Sequence, residues 1–186
     1  AIARQAVELC DPGDAIIING GTTTFQMVHF MAAHRLQVMT NSFAIAEHLV
    51  KHSKNTVTVP GGAIYREQSL ILSPFDNDAI RNFYARRFFI GAQGIGPLGI
   101  MEADALIIQS EQKLMHQADE LVVMADSSKF HRRSSLILCP LERVTTIITD
   151  DGIPEEAVRM IENAGIRLIV ASPAAQAIKE DSSSVA

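Results

Sequence analysis

Five short stretches of this 186-residue chain concentrate groups able to hold a polar ligand. They are Asn19-Gly20-Gly21-Thr22-Thr23-Thr24, Thr40-Asn41-Ser42, Gly61-Gly62, Gly91-Ala92-Gln93-Gly94 and Asp126-Ser127-Ser128-Lys129. Glycine lets backbone approach a ligand, hydroxyls and amides donate hydrogen bonds, and the first N–H groups of a helix face an anion. Each stretch also reads as a turn or a helix cap. Charged groups add to them. Arg66 follows Gly61-Gly62, Lys129 closes the last stretch, and Glu111 and Lys113 share one helical segment. A lysine there can hold a phosphate as a point charge, and each of these residues also fits a solvated surface.

The same residues exclude several chemistries. No lysine follows Gly20-Gly21 at P-loop spacing, and the Gly-x-Gly-x-x-Gly dinucleotide signature is missing. His48 and His52 lie four apart, but no third metal ligand accompanies them, so they read as an exposed helix face. Neither a Ser-His-Asp nor a Cys-His set can be assembled. No metal or cofactor is expected, and no catalytic residue is assigned.

Each of these five stretches closes a run that reads as a strand. Apolar, β-branched runs at 15–18, 36–39, 56–59, 87–90, 121–125, 144–149 and 167–171 alternate with helical periodicity at 1–9, 23–33, 42–52, 77–84, 104–117 and 154–164. Residues 69–72 are ambiguous, and 94–99 hold too much Gly and Pro for a regular element. Buried strands alternating with helices predict an α/β domain: an open, mostly parallel sheet with helices on both faces. In such a sheet the loops at the strand C-termini share one edge, where ligands bind. A single domain is expected over 1–172, with a polar, Ser-rich tail at 173–186.

Composition narrows the partners. A net charge of −5 and the absence of Trp argue against a surface that grips nucleic acid by itself. Two cysteines, Cys10 and Cys139, without metal spacing read as buried, reduced thiols of a cytoplasmic protein. No apolar run reaches membrane-spanning length. The chain opens on Ala1 within a helical pattern, so it reads as part of a longer protein.

As an ordered set these segments resemble the C-terminal effector-binding domain of the DeoR family of bacterial transcription regulators. The resemblance is carried by 14–24, Val38-Met39-Thr40-Asn41-Ser42, Pro60-Gly61-Gly62, Phe89-Ile90-Gly91-Ala92-Gln93-Gly94-Ile95, Ser110-Glu111-Gln112-Lys113, Ala125-Asp126-Ser127-Ser128-Lys129-Phe130 and Ile147-Ile148-Thr149-Asp150. It implies a Rossmann-related fold similar to ribose-5-phosphate isomerase, and a helix-turn-helix domain upstream through which operator DNA is bound. It also implies a homo-oligomeric repressor of a sugar-utilisation operon, with a phosphorylated sugar or related metabolite as effector. By that resemblance Gly20, Gly21, Thr22, Thr23, Thr24, Thr40, Asn41 and Ser42 hold phosphate or sugar hydroxyls, while Gly91, Gln93, Gly94 and Lys113 line the sugar. Gln93 stands where the family often has Asp, and an amide cannot take a proton at neutral pH. The alternative is a sugar-phosphate isomerase with Glu111 as base and Lys113 as electrostatic partner; Gln93 weighs against it.

Overall fold

The computed structural model describes residues 1–74 and 79–172. Along the chain run α1 (Ile2–Glu8), β1 (Ala15–Ile18), α2 (Thr22–Phe25) with a 3₁₀ continuation (Gln26–Phe30), β2 (Gln37–Thr40), α3 (Phe43–His52) and β3 (Thr56–Thr58). Next come the hairpin strands β4 (Ala63–Tyr65) and β5 (Leu70–Leu72), then β6 (Ala85–Ile90), β7 (Gly94–Gly96), β8 (Gly99–Glu102) and α4 (Ala105–Met115). The chain closes with β9 (Ala118–Met124), a 3₁₀ turn (Ser127–His131), β10 (Leu136–Cys139), β11 (Thr146–Asp150), α5 (Glu155–Asn163) and β12 (Arg167–Ala171).

Seven strands form one sheet in the order β12-β11-β9-β6-β1-β2-β3, with every neighbouring pair parallel. Side chains alternate between its faces with period two. Ile16, Ile18, Phe89 and Met124 enter one core with Ala6 and Val7 of α1, Met27 and Val28 of the 3₁₀ turn, and Ile45 and Leu49 of α3. Ile17, Phe88, Leu121 and Val123 enter the other with Leu114 of α4 and Ile161 of α5. The mostly parallel α/β sheet with helices on both faces is therefore present as expected.

The chain leaves β1 toward β2 and β3 and later returns to place β6 on β1's other side. The order reverses at the β1/β6 boundary, and a crevice opens there beyond the strand C-termini.

Several local expectations are corrected. The helix expected over 23–33 is one α turn followed by a 3₁₀ turn, because Thr, Phe, Val and His are weak helix formers. Residues 94–99, expected to be irregular, contain β7 and the turn into β8, and β10 completes a three-stranded antiparallel sheet in the order β10-β8-β7. Of the helix expected over 77–84, the described part is a 3₁₀ turn (Ala79–Asn82) running into β6; residues 77 and 78 lie outside the described residues. The tail expected at 173–186 lies outside them as well.

Candidate functional site

The β1/β6 crevice is a cavity of about 540 Å³, a size typical of small-molecule sites. Its floor is built by Asn19, which is 3% exposed at the end of β1. Asn19 N–H donates to the Phe89 carbonyl, and its Oδ1 accepts from Gly91 N–H at 3.4 Å. Its Nδ2 donates to the Glu111 carboxyl. One amide thereby ties β1, β6 and α4 together beneath the cavity.

The β1–α2 loop forms one wall. Gly20 N–H is already engaged, donating to Asn41 Oδ1 at 3.0 Å, and a Cβ on Gly20 would meet Leu70 Cδ2 at 2.1 Å. Gly20 is thus needed for close packing as well as lining the cavity. Gly21, Thr22 and Thr23 line it too, and the first N–H groups of a helix have no intrahelical acceptor. Gly91 has nothing within 4 Å of its would-be Cβ, so there the backbone itself faces the cavity.

The opposite wall comes from the β4–β5 hairpin. Ser69 accepts from Phe43 N–H through its carbonyl, and Ile71 N–H donates to the Asn41 carbonyl at 2.7 Å. Tyr65 Oη donates to Asp104 Oδ2 at the start of α4. These bonds hold Glu67, Gln68 and Ser69 against the cavity. Ser69 adopts φ 52°, a left-handed conformation uncommon for a residue with a side chain.

The charged groups are unevenly placed. Lys129, on the 3₁₀ turn after β9, is the one basic side chain among the described residues that line the cavity. Glu102, at the end of β8, also lines it and is 8% exposed. Burial pushes the Glu102 carboxyl above the ordinary carboxylate range, against the pull of the Ala103 N–H and of Lys129, while Asp104 pushes it further up. Behind it Glu111 is 2% exposed, and its Oε2 has no hydrogen-bond partner. Burial and the nearby Glu102 raise the Glu111 pKa to about 8, opposed only in part by the Asn19 amide.

The sequence candidates therefore divide. Gly20, Gly21, Thr22, Thr23, Ser42, Gly91, Gln93 and Lys129 converge on the cavity. Thr24, Thr40 and Asn41 lie behind it: Thr24 Oγ1 donates to the Gly21 carbonyl, Thr40 Oγ1 accepts from Ser42 N–H, and Asn41 bridges Gly20 and Ser110. Ser42 both lines the cavity and caps α3, accepting from Ile45 N–H.

Gly62 and Gly94 do not line the cavity. Their would-be Cβ atoms fall 2.1 Å from the Leu72 carbonyl oxygen and 2.6 Å from that of Arg132, so close backbone packing accounts for both. Gly61 and Arg66 also stay outside it; the β4–β5 turn presents the residues after Arg66 instead.

Lys113 is the clearest correction. It lines a separate groove with Ile80, Arg81 and His116. Residues two apart on a helix point in nearly opposite directions, so when Glu111 turns inward Lys113 turns away. His52 is exposed and His48 half-buried, with the His48 ring 4.8 Å from that of His52 and 5.5 Å from that of His29. Among the described residues no group of three His, Cys, Asp or Glu is arranged to hold a metal.

Sequence reasoning did not single out Glu102, Gln26 or the 67–69 turn. They contact the cavity only through the packing of β8, the 3₁₀ turn and the hairpin. For Asn19, its place at the end of a buried strand was a usable signal.

Comparison with known proteins agrees with this architecture. The chain is 28% identical over 169 residues to the HTH-type transcriptional regulator UlaR of Shigella dysenteriae serotype 1, covering 90% of this chain and 66% of the relative. The UlaR protein of Escherichia coli K12 matches over the same shares at the same identity. The chain thus spans just under two thirds of the length of these relatives. Among solved structures, ribose 5-phosphate isomerase A of Methanocaldococcus jannaschii superposes with a TM-score of 0.52 at 16% identity, over 69% of this chain and 52% of the isomerase. The Neisseria gonorrhoeae isomerase superposes with a TM-score of 0.51 at 17% identity, over 69% of this chain and 51% of the isomerase. These likenesses show the shared fold. The model of the DeoR C terminal sensor domain matches residues 1–151, and the chain belongs to that family.

Proposed function

We propose that the β1/β6 cavity is the effector site of a DeoR-type repressor of sugar-utilisation genes, and that its ligand is a phosphorylated sugar or related metabolite. The observation that carries this reading is convergence at the topological switch point. Gly21-Thr22-Thr23, Ser42, Gly91, Gln93 and Lys129 come from four different loops and meet around one cavity. Backbone N–H groups, hydroxyls and one lysine suit a phosphate joined to a polyol.

The same wall offers a route for a signal. Thr22, Thr23 and Gln26 line the cavity on one side, and on the other a groove beside Ala1–Ala3 and Asp150-Asp151. On that far side the α1 Arg4 guanidinium lies 5.3 Å from the Phe30 ring centroid. In the full-length cytoplasmic regulator, a ligand that moves this wall biases DNA-binding segments joined upstream of α1, within a homo-oligomer.

Sensing rather than catalysis is favoured by the failure of the isomerase pair to converge. Glu111 is buried under Asn19 and Lys113 lies in another groove. The test is a thermal-shift and calorimetric screen of paired phosphorylated and free sugars. A ligand specific to the native state raises the melting temperature. Stabilisation by a phosphorylated sugar but not by its free form is expected; equal response to both forms, or to neither, overturns the phosphate reading. Ligand-dependent isomerisation seen by NMR overturns the sensor reading.

A further inference from the structure

We propose that Glu102 sets the chemical specificity of the cavity: on its side it admits hydroxyl or amino groups of the ligand and refuses a carboxylate. This inference rests on the reading of the cavity as a sugar-phosphate site.

Glu102 is held in place from several directions. Its backbone pairs with Leu136 across the β8–β10 ladder, and its carbonyl accepts from Ser134 Oγ at 2.6 Å. Its carboxylate Oε1 accepts from Ala103 N–H at 2.7 Å. With the main chain pinned and one oxygen engaged, the side chain is fixed against the cavity it lines. The other oxygen remains to accept from a ligand, and a carboxylate accepts but cannot donate.

The surroundings sharpen that preference. Glu111 lies behind Glu102, near enough that the charge of Glu102 opposes ionisation of Glu111. Glu67 adds a further acid on the hairpin wall, with Lys129 as the only cation among the described residues lining the cavity. The Gly21–Thr23 wall carries no acid. A ligand carboxylate placed beside Glu102 would bring another negative charge to a buried site already short of compensation, whereas a hydroxyl or ammonium donates to the oxygen available there.

The experiment is calorimetry at pH 7.5 with glucosamine 6-phosphate, glucose 6-phosphate and 6-phosphogluconate. The three share the carbon count and the phosphate and differ at the far end. Wild-type protein should bind the first two at least about tenfold more tightly than 6-phosphogluconate, the scale of one partly screened like-charge contact. Glu102→Gln removes the charge and keeps the shape; it should narrow that gap to about threefold or less by tightening 6-phosphogluconate. Glu102→Asp keeps the charge and should keep discrimination against 6-phosphogluconate, which provides a second readout if the Gln variant folds poorly. Discrimination unchanged in Glu102→Gln, or a wild-type preference for 6-phosphogluconate, overturns the role of Glu102 alone. Binding of none of the three overturns the sugar-phosphate reading, and the role of Glu102 with it.

Discussion

Replacing Glu111 with Gln should make the protein more stable, by an amount that grows with pH. Glu111 is 2% exposed, with its Oε2 unpartnered, and burial together with Glu102 lifts its pKa from 4.5 to about 8. Its folded pKa is thus raised above the unfolded value. Below pH 4.5 both states hold the proton and the group costs nothing. Between 4.5 and about 8 the native state retains a proton that the unfolded chain has released, so stability falls as pH rises. Above about 8 both states are ionised and the loss levels off. The slope is at most about 1.4 kcal/mol per pH unit, so from pH 5.5 to 7.5 wild-type protein loses roughly 2–3 kcal/mol through this group. Gln keeps an oxygen to accept from the Asn19 amide and does not titrate. Urea unfolding of both proteins at pH 5.5, 6.5 and 7.5 measures the difference directly. Titrating groups remote from Glu111 are present in both proteins and largely cancel. A stability gap that stays constant across these pH values would refute the assignment of a buried, proton-holding carboxyl.

Two further outcomes follow from the placement of charge. Lys129→Met should weaken a phosphorylated ligand about tenfold or more, from loss of a charge-assisted contact, while Lys113→Met should leave its affinity within about twofold; calorimetry on the pair reverses this order if the phosphate lies on the far side of α4. With a net charge of −5, this chain should not shift a duplex operator in a gel at physiological salt, and tight, sequence-selective binding would contradict the assignment of DNA contact to a segment upstream.

Much of the architecture was legible in the sequence, because apolar runs of β-branched or aromatic residues such as Ile16-Ile17-Ile18 and Phe88-Phe89-Ile90 announce buried parallel strands within a few residues. The small polar loops after β1, β2 and β6 followed from the same reading, and parallel topology places them on one edge. Even the error over Lys113 was detectable, since helical periodicity forbids Glu111 and Lys113 from sharing a face. What no local pattern contains is which element lies opposite which. Gly94 and Gly62 look like ligand glycines in sequence, but a carbonyl oxygen from a distant segment occupies the space of each missing side chain. Glu102 looks like a surface acid until β10 and α4 bury it beside the cavity, and Asn41 looks like a cap until it reaches Gly20 and Ser110. The strands of the seven-stranded sheet and the loops after them came from short-range periodicity and backbone preference. The site came from contacts between residues distant in sequence, whose desolvation and charge exist only once the chain has folded.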